Sequence, residues 1–188
     1  EADVIGYGGA AGGGKTDLAV GKALMAHHEV MIMRREGTQL QGVLSRLEAL
    51  LGTTDGYNSQ SKIWRDAGPR GVKIEFGSVP NLGDETKYQG RPHDLLVFDE
   101  AANFLQQQVT FLLGWNRSTR PGVHSQALLT FNPPTSAEGR WVVDFFGPWI
   151  DKKHPLFPTP PGVLRYCVTL PAENGTSTYV WVDDASPC

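Results

Sequence analysis

The residues best suited to chemistry sit in one stretch near the start of the chain, Gly9-Ala10-Ala11-Gly12-Gly13-Gly14-Lys15-Thr16. A glycine, four residues, then glycine, lysine and threonine is the spacing of a phosphate-cradling loop. Glycines let such a loop curl its backbone N–H groups around an anion where a Cβ would block the approach. Lys15 adds a point charge for the outer phosphates, a catalytic part, and the Thr16 hydroxyl suits Mg2+. The competing reading of the run is a flexible glycine hinge. The context favours phosphate, because Val4-Ile5-Gly6-Tyr7 reads as a short strand and Leu18, Ala19, Ala23 and Leu24 have helical spacing. A helix there turns its positive end toward the same place.

A second candidate is Leu95-Leu96-Val97-Phe98-Asp99-Glu100. An apolar run followed by two acids describes a buried central strand with carboxylates at its C-terminal end, the edge where open α/β sheets bind ligands. Asp99 is placed to hold Mg2+, directly or through water, and Glu100 to orient and polarise an attacking water. A glutamate beside the aspartate favours hydrolysis over transfer to a small acceptor. The competing reading is an acid pair at a helix N-terminus, complementing the helix dipole.

Leu128-Leu129-Thr130-Phe131-Asn132 is a further core strand with a polar end, stopped by Pro133-Pro134. Asn132 is the candidate sensor of a γ-phosphate; a plain turn before Pro133 explains it equally well. Phosphoryl transfer also benefits from an arginine, from the same chain or a neighbour. Arg34, Arg35, Arg117 and Arg120 are candidates, with Arg91 and Arg140 also available, and the sequence does not choose among them.

The elements that must position these residues alternate. After the first helix, Glu29 to Met33 is a buried strand ended by Arg34 and Arg35, with His27 and His28 as loop or cap residues at the junction. Leu40, Val43, Leu44, Leu47, Leu50 and Leu51 mark one face of a second helix. Strand, helix, strand, helix begins a parallel α/β sheet. Lys62–Asp66 and Val72–Val79 form an antiparallel hairpin through Gly68-Pro69-Arg70-Gly71, with Val72, Ile74 and Phe76 inward and Lys73, Glu75 and Gly77 on a wet face. Pro80–Pro92 is a loop. Phe104, Leu105, Val109, Leu112 and Leu113 mark another helix, and Trp141, Val142, Phe145 and Phe146 a short one. From Gly147 the chain is proline-rich, and Lys152-Lys153 is solvated surface. Val163–Leu170 is expected as a last strand of the sheet, Thr178–Val182 is strand-like, and Asp183-Asp184 is a linker turn.

At 188 residues the chain suits one domain with a real core, and its 40% hydrophobic and 20% charged content is ordinary for a globular protein. No apolar run approaches the length of a membrane span. Cys167 and Cys188 make neither a disulfide framework nor a metal cluster. A net charge of −3 argues against a stand-alone, tight nucleic-acid binder, so any such contact is expected to be local or shared among subunits. The chain opens without Met, almost directly on the phosphate-loop strand, and is expected to be a fragment.

The ordered set of motifs resembles the ATPase domain of the large terminase subunit of tailed bacteriophages, from about Val4 to about Leu170. The phosphate loop and the acid pair are shared by many P-loop ATPases. What points to terminases is Val-Met-Ile-Met-Arg34-Arg35, then Tyr88-Gln89-Gly90-Arg91, then Leu-Thr130-Phe131-Asn132-Pro-Pro. The resemblance implies a RecA-like P-loop NTPase, a mostly parallel central sheet flanked by helices, with an additional strand and a catalytic glutamate. It implies that Gly9 to Thr16 bind ATP, Thr16 and Asp99 the Mg2+ and Glu100 the water, and that Thr130 to Asn132 couple hydrolysis to movement. Implied partners are viral double-stranded DNA, the portal protein, the small terminase subunit and further copies in a ring, in the host cytoplasm. On this reading residues 1–170 are the ATPase domain, without the family's upstream adenine-contacting segment. Residues 171–188 begin a linker toward a nuclease domain that the chain lacks. A helicase-type P-loop ATPase and a nucleotide-binding switch are the alternatives.

Overall fold

A computed structural model describes residues 1–10, 12–171 and 177–182. Asp183-Asp184 and Cys188 lie outside the described residues. Seven strands form the main sheet: β1 (Val4–Gly8), β2 (Glu29–Arg34), β3 (Tyr57–Asn58), β4 (Ile63–Ala67), β5 (Val72–Ser78), β6 (Leu95–Phe98) and β7 (Gln126–Phe131). Their spatial order is β1-β7-β6-β2-β5-β4-β3. The first five in that order run parallel, and β4 and β3 continue as an antiparallel edge. Strand β7, late in the chain, is therefore inserted between the phosphate-loop strand and the acid-bearing strand.

The helices α1 (Lys15–Ala26), α2 (Leu40–Leu51), α3 (Gln106–Leu113), α4 (Trp141–Phe145) and α5 (Gly147–Ile150) complete the layers. Alternation along each central strand divides its side chains between two cores. Val30, Ile32, Leu95, Val97 and Leu128 pack with Ala19, Val20 and Ala23 of α1 and Leu40, Val43 and Leu47 of α2. Met31, Met33, Leu96, Phe98 and Leu129 pack on the other face with Val109 and Leu112 of α3 and Trp141, Val142 and Phe145 of α4. Burial on both faces is why β2, β6 and β7 read as nearly continuous apolar runs. Helix α2 stops at Gly52, whose left-handed backbone lets its N–H close on Glu48 O at 2.8 Å.

Four sequence expectations are corrected. Val163–Leu170 does not extend the sheet: β8 (Tyr166–Pro171) pairs only with β9 (Ser177–Val182) in a separate antiparallel ribbon. Tyr179 and Trp181 of that ribbon pack on Phe145 and Trp149, with ring centroids 4.6 and 5.4 Å apart. The face of β5 expected to be wet is covered, because Glu75 pairs with Arg91 and His93, and Tyr88 lies over Gly77. Phe104 precedes its helix, and Leu18 and Leu50 are exposed although their spacing put them on apolar faces. Among the described residues no helix is long and apolar enough to cross a membrane.

Candidate active site at the C-terminal edge of the sheet

The strand order brings three chain segments side by side. Gly8 is in register with Phe131, and the pairing continues past the strands through Gly9 N–H to Phe131 O at 3.1 Å. Leu129 pairs with Phe98, so Thr130 comes beside Asp99. Met33 also pairs with Phe98, and Asp99 N–H closes on Met33 O at 3.0 Å, which sets Arg34 opposite Asp99. The loop after β1, the end of β7 and the acids after β6 thus share one edge.

In the loop, Gly12 and Gly14 have left-handed φ of 80° and 68°, which glycine adopts without strain. Ala11 lies outside the described residues. Lys15 opens α1, and its Nζ donates to Gly9 O at 3.1 Å and Ala10 O at 2.6 Å, so the ammonium sits in the mouth of the loop. Thr16 follows, half-buried in the first turn of a twelve-residue helix. A helix N-terminus, a lysine and glycine-lined backbone together suit an anion.

Asp99 is almost fully buried. Its Oδ1 accepts from Thr130 Oγ1 at 2.5 Å, and its Oδ2 accepts from Arg34 Nε at 2.8 Å and Nη2 at 2.6 Å. Glu100 has φ 60° and ψ 52°, a left-handed conformation that costs a non-glycine residue about 1–2 kcal/mol. Such strain, held by surrounding contacts, clusters at functional sites. Here the contacts are Glu100 N–H to Thr130 Oγ1 at 3.2 Å, Asn103 Nδ2 to Glu100 Oε2 at 3.1 Å and Arg34 Nη1 to Glu100 Oε2 at 2.9 Å. The Glu100 side chain stays one-third exposed. Asn132 stands just past β7 with a buried Oδ1 that has no hydrogen-bond partner, an acceptor left open at the rim of the same edge.

The donor set is a hydroxyl, Thr16, and a carboxylate, Asp99, hard oxygens of the kind magnesium takes. Both Asp99 oxygens already accept hydrogen bonds, so the present geometry suits a water-mediated contact better than direct ligation.

The candidate arginines separate. Arg34 is engaged with both acids, and Arg35 is tied to Pro80 O at 2.9 Å and Gln108 Oε1 at 3.1 Å. Arg91 pairs with Glu75 and lies over the Tyr88 ring, while Arg140 is exposed beside α4. Arg117 and Arg120 line a recess with Glu29, Pro92, His93 and Asp94, at the N-terminal ends of β2 and β6. That is a strand's length from the phosphate loop, roughly 13–20 Å. Neither reaches the site of its own chain.

Gln108 was not singled out by the sequence. Fully buried, it donates to Val79 O and Asn81 O at 2.9 and 2.8 Å and accepts from Arg35, tying the ends of β2 and β5 to α3. A glutamine amid the apolar positions of a helix was the available signal.

The sheet order defines an α/β fold with a mostly parallel central sheet, in which β7 is inserted between the loop strand and the acid strand. No family model matches the sequence, and no curated protein matches it. Among solved structures the chain is similar to the large terminase of bacteriophage HK97, at 18% identity and TM-score 0.50, over 79% of this chain and 32% of that one. It is also similar to a large terminase from a thermophilic bacteriophage, at 17% identity and TM-score 0.45, over 69% of this chain and 33% of that one. The chain thus spans about a third of the length of these terminases. The first likeness shows a shared fold.

Proposed function

We propose that this chain is the ATPase motor domain of a phage terminase large subunit, hydrolysing ATP to move viral double-stranded DNA into a procapsid. The observation that carries the reading is the meeting of Lys15, Thr130, Asp99 and Glu100 on the adjacent ends of β1, β7 and β6. Gly9 to Thr16 bind the phosphates, and Lys15 turns from the Gly9 and Ala10 carbonyls toward the outer ones. Bound magnesium, held by Thr16 and by Asp99 through water, would neutralise charge on the β- and γ-phosphates. Glu100 orients and polarises the attacking water once Arg34 shares less of its carboxylate. Asn132 would donate from its amide Nδ2 to the γ-phosphate, and Thr130, bonded to Asp99 and Glu100, links that contact to β7.

Among the described residues Arg34 and Arg35 are committed at this edge, and exposed Arg140 stands next to Gly139, which packs on Ala102. The reading of several copies in a ring has a neighbour supply a further cation. The portal protein and the small terminase subunit belong to the same reading, as does action in the host cytoplasm. The test is Glu100→Gln. Nucleotide binding should persist while turnover falls by about 100-fold or more. An unchanged rate would remove Glu100 from the mechanism.

A further inference from the structure

Arg117 and Arg120 are too far from the phosphate loop to serve it within the chain, and they are not alone at the opposite edge. A cavity of about 550 Å³ opens beside them, lined by Lys22 near the end of α1, His27, Arg70 from the β4–β5 turn and the segment Gly122–His124. Among the described residues no carboxylate pairs with Lys22, Arg70, Arg117 or Arg120. Of the acids nearby, Glu29 pairs with Lys73 at 3.2 Å, and buried Asp94 accepts from the His28 and Glu29 N–H groups. Exposed Asp3, 3.2 Å from His124, and Glu1 at the cavity rim add negative charge. In a chain of net charge −3, Lys22, Arg117, Arg120 and Arg70, whose Nη2 meets His28 Nε2 at 3.2 Å, gather positive charge without a carboxylate partner on one edge.

Two further observations point to a ligand. His27 is 3% exposed, lines the cavity, and has no hydrogen-bond partner on either ring nitrogen, although Nδ1 lies 3.7 Å from Asp94 Oδ1. Trp115 carries the Arg117 guanidinium 5.0 Å above its ring, and the Arg120–Val123 turn fixes the next arginine through Gly122 at φ 74°. An aromatic interleaved with arginines on an ordered loop suits a phosphate-sugar chain.

We infer that the N-terminal edge of the sheet, through Lys22, Arg70, Arg117 and Arg120, binds the phosphate backbone of duplex DNA on the side opposite the nucleotide site. The inference rests on the reading of the chain as a DNA-moving ATPase and gives that reading its contact surface. The two functions occupy opposite ends of the same strands. A shift at the acids of β6 therefore has a rigid element along which to reach the DNA.

The test is fluorescence anisotropy of a short labelled duplex between about 50 and 200 mM salt, without nucleotide. Arg117→Ala with Arg120→Ala should weaken binding roughly tenfold at the lower salt and lower the salt slope by about 0.9 per phosphate contact removed. Lys22→Ala with Arg70→Ala should lower the slope as well. Lys152→Ala with Lys153→Ala, which removes the same charge elsewhere, should change neither quantity. Unchanged affinity and slope in both edge variants would overturn the inference, as would an equal loss in the Lys152/Lys153 control. Displacement of the duplex by inorganic phosphate at an equal phosphate concentration would place a lone-anion site there and also overturn it. Because no nucleotide is present, the result is decided independently of whether the chain turns over ATP.

Discussion

Arg34 grips Asp99 side-on, its Nε and Nη2 both donating to Oδ2, while its remaining Nη1 reaches Glu100. The arginine ends β2 and the aspartate follows β6, so the pair exists only because those strands are neighbours. The sequence left Arg34 among several candidates, from the same chain or a neighbour, for the arginine that assists phosphoryl transfer. In the structure Arg34 neutralises a nearly buried carboxylate and holds the glutamate beside it.

Removing that arginine should therefore destabilise the fold as well as disturb the site. Arg34→Ala leaves Asp99 buried without its counter-charge, a loss of about 3–5 kcal/mol for a broken buried pair. Urea unfolding measures it. A change below about 1 kcal/mol would mean that Asp99 is solvated or neutral in the folded chain.

Thr130→Val keeps the shape of a fully buried side chain and deletes its hydroxyl. Asp99 Oδ1 and Glu100 N–H each lose a partner, which should cost about 1–3 kcal/mol. Thr130→Ser retains both bonds and should lie much closer to the unmodified chain in the same unfolding experiment.

A Cβ on Gly77 would stand 2.8 Å from the Tyr88 hydroxyl and 2.9 Å from its ring. That hydroxyl accepts from Ser78 N–H at 2.9 Å and donates to Ser78 O at 3.2 Å, pinning the Pro80–Pro92 segment to β5. Gly77→Ala should lower stability by about 1–3 kcal/mol and open this segment to limited proteolysis. An unchanged cleavage pattern would show that the segment is held by other contacts.

Acid should weaken the fold in two stages. Burial is the largest influence on His27 and pulls its pKa down, with Asp94 opposing. The unfolded chain then binds the proton more readily, so stability is lost as pH falls below roughly 6.5. For Glu75, burial raises the pKa, but the His93 hydrogen bond and the Arg91 charge outweigh it and hold the carboxyl below its ordinary value. Its contribution is present above the unfolded carboxyl pKa of roughly 4.3 and is lost as pH falls through the lower folded value. Urea midpoints across this range, compared with those of His27→Gln, separate the stages. The variant should show a flatter dependence just below roughly pH 6.5, and an equal slope would contradict the assignment to His27.

The strands were legible where local pattern sufficed. An apolar run ending in Asp99-Glu100 announces a central strand, and the glycine-lysine spacing announces the loop, because both signals sit within a few neighbouring residues. The Gly68–Gly71 hairpin was readable for the same reason. What failed depended on partners far along the chain. Glu75 looked wet because alternation reports polarity and not the arrival of Arg91 and His93 from later in sequence. Strand β8 was recognisable as a strand, but nothing local says that β9 is its partner. The positions of Arg34, Arg117 and Arg120 separated only when β2 placed one at its C-terminal end and the α3–β7 connection carried the others to the opposite edge.

The most direct measurement is Mg2+-dependent ATP hydrolysis by the unmodified chain over a range of protein concentrations, beside Lys15→Ala. The account predicts hydrolysis that rises faster than linearly with protein, as copies complete one another's sites, and that disappears in the variant. Equal hydrolysis by Lys15→Ala, or hydrolysis without magnesium, would contradict it.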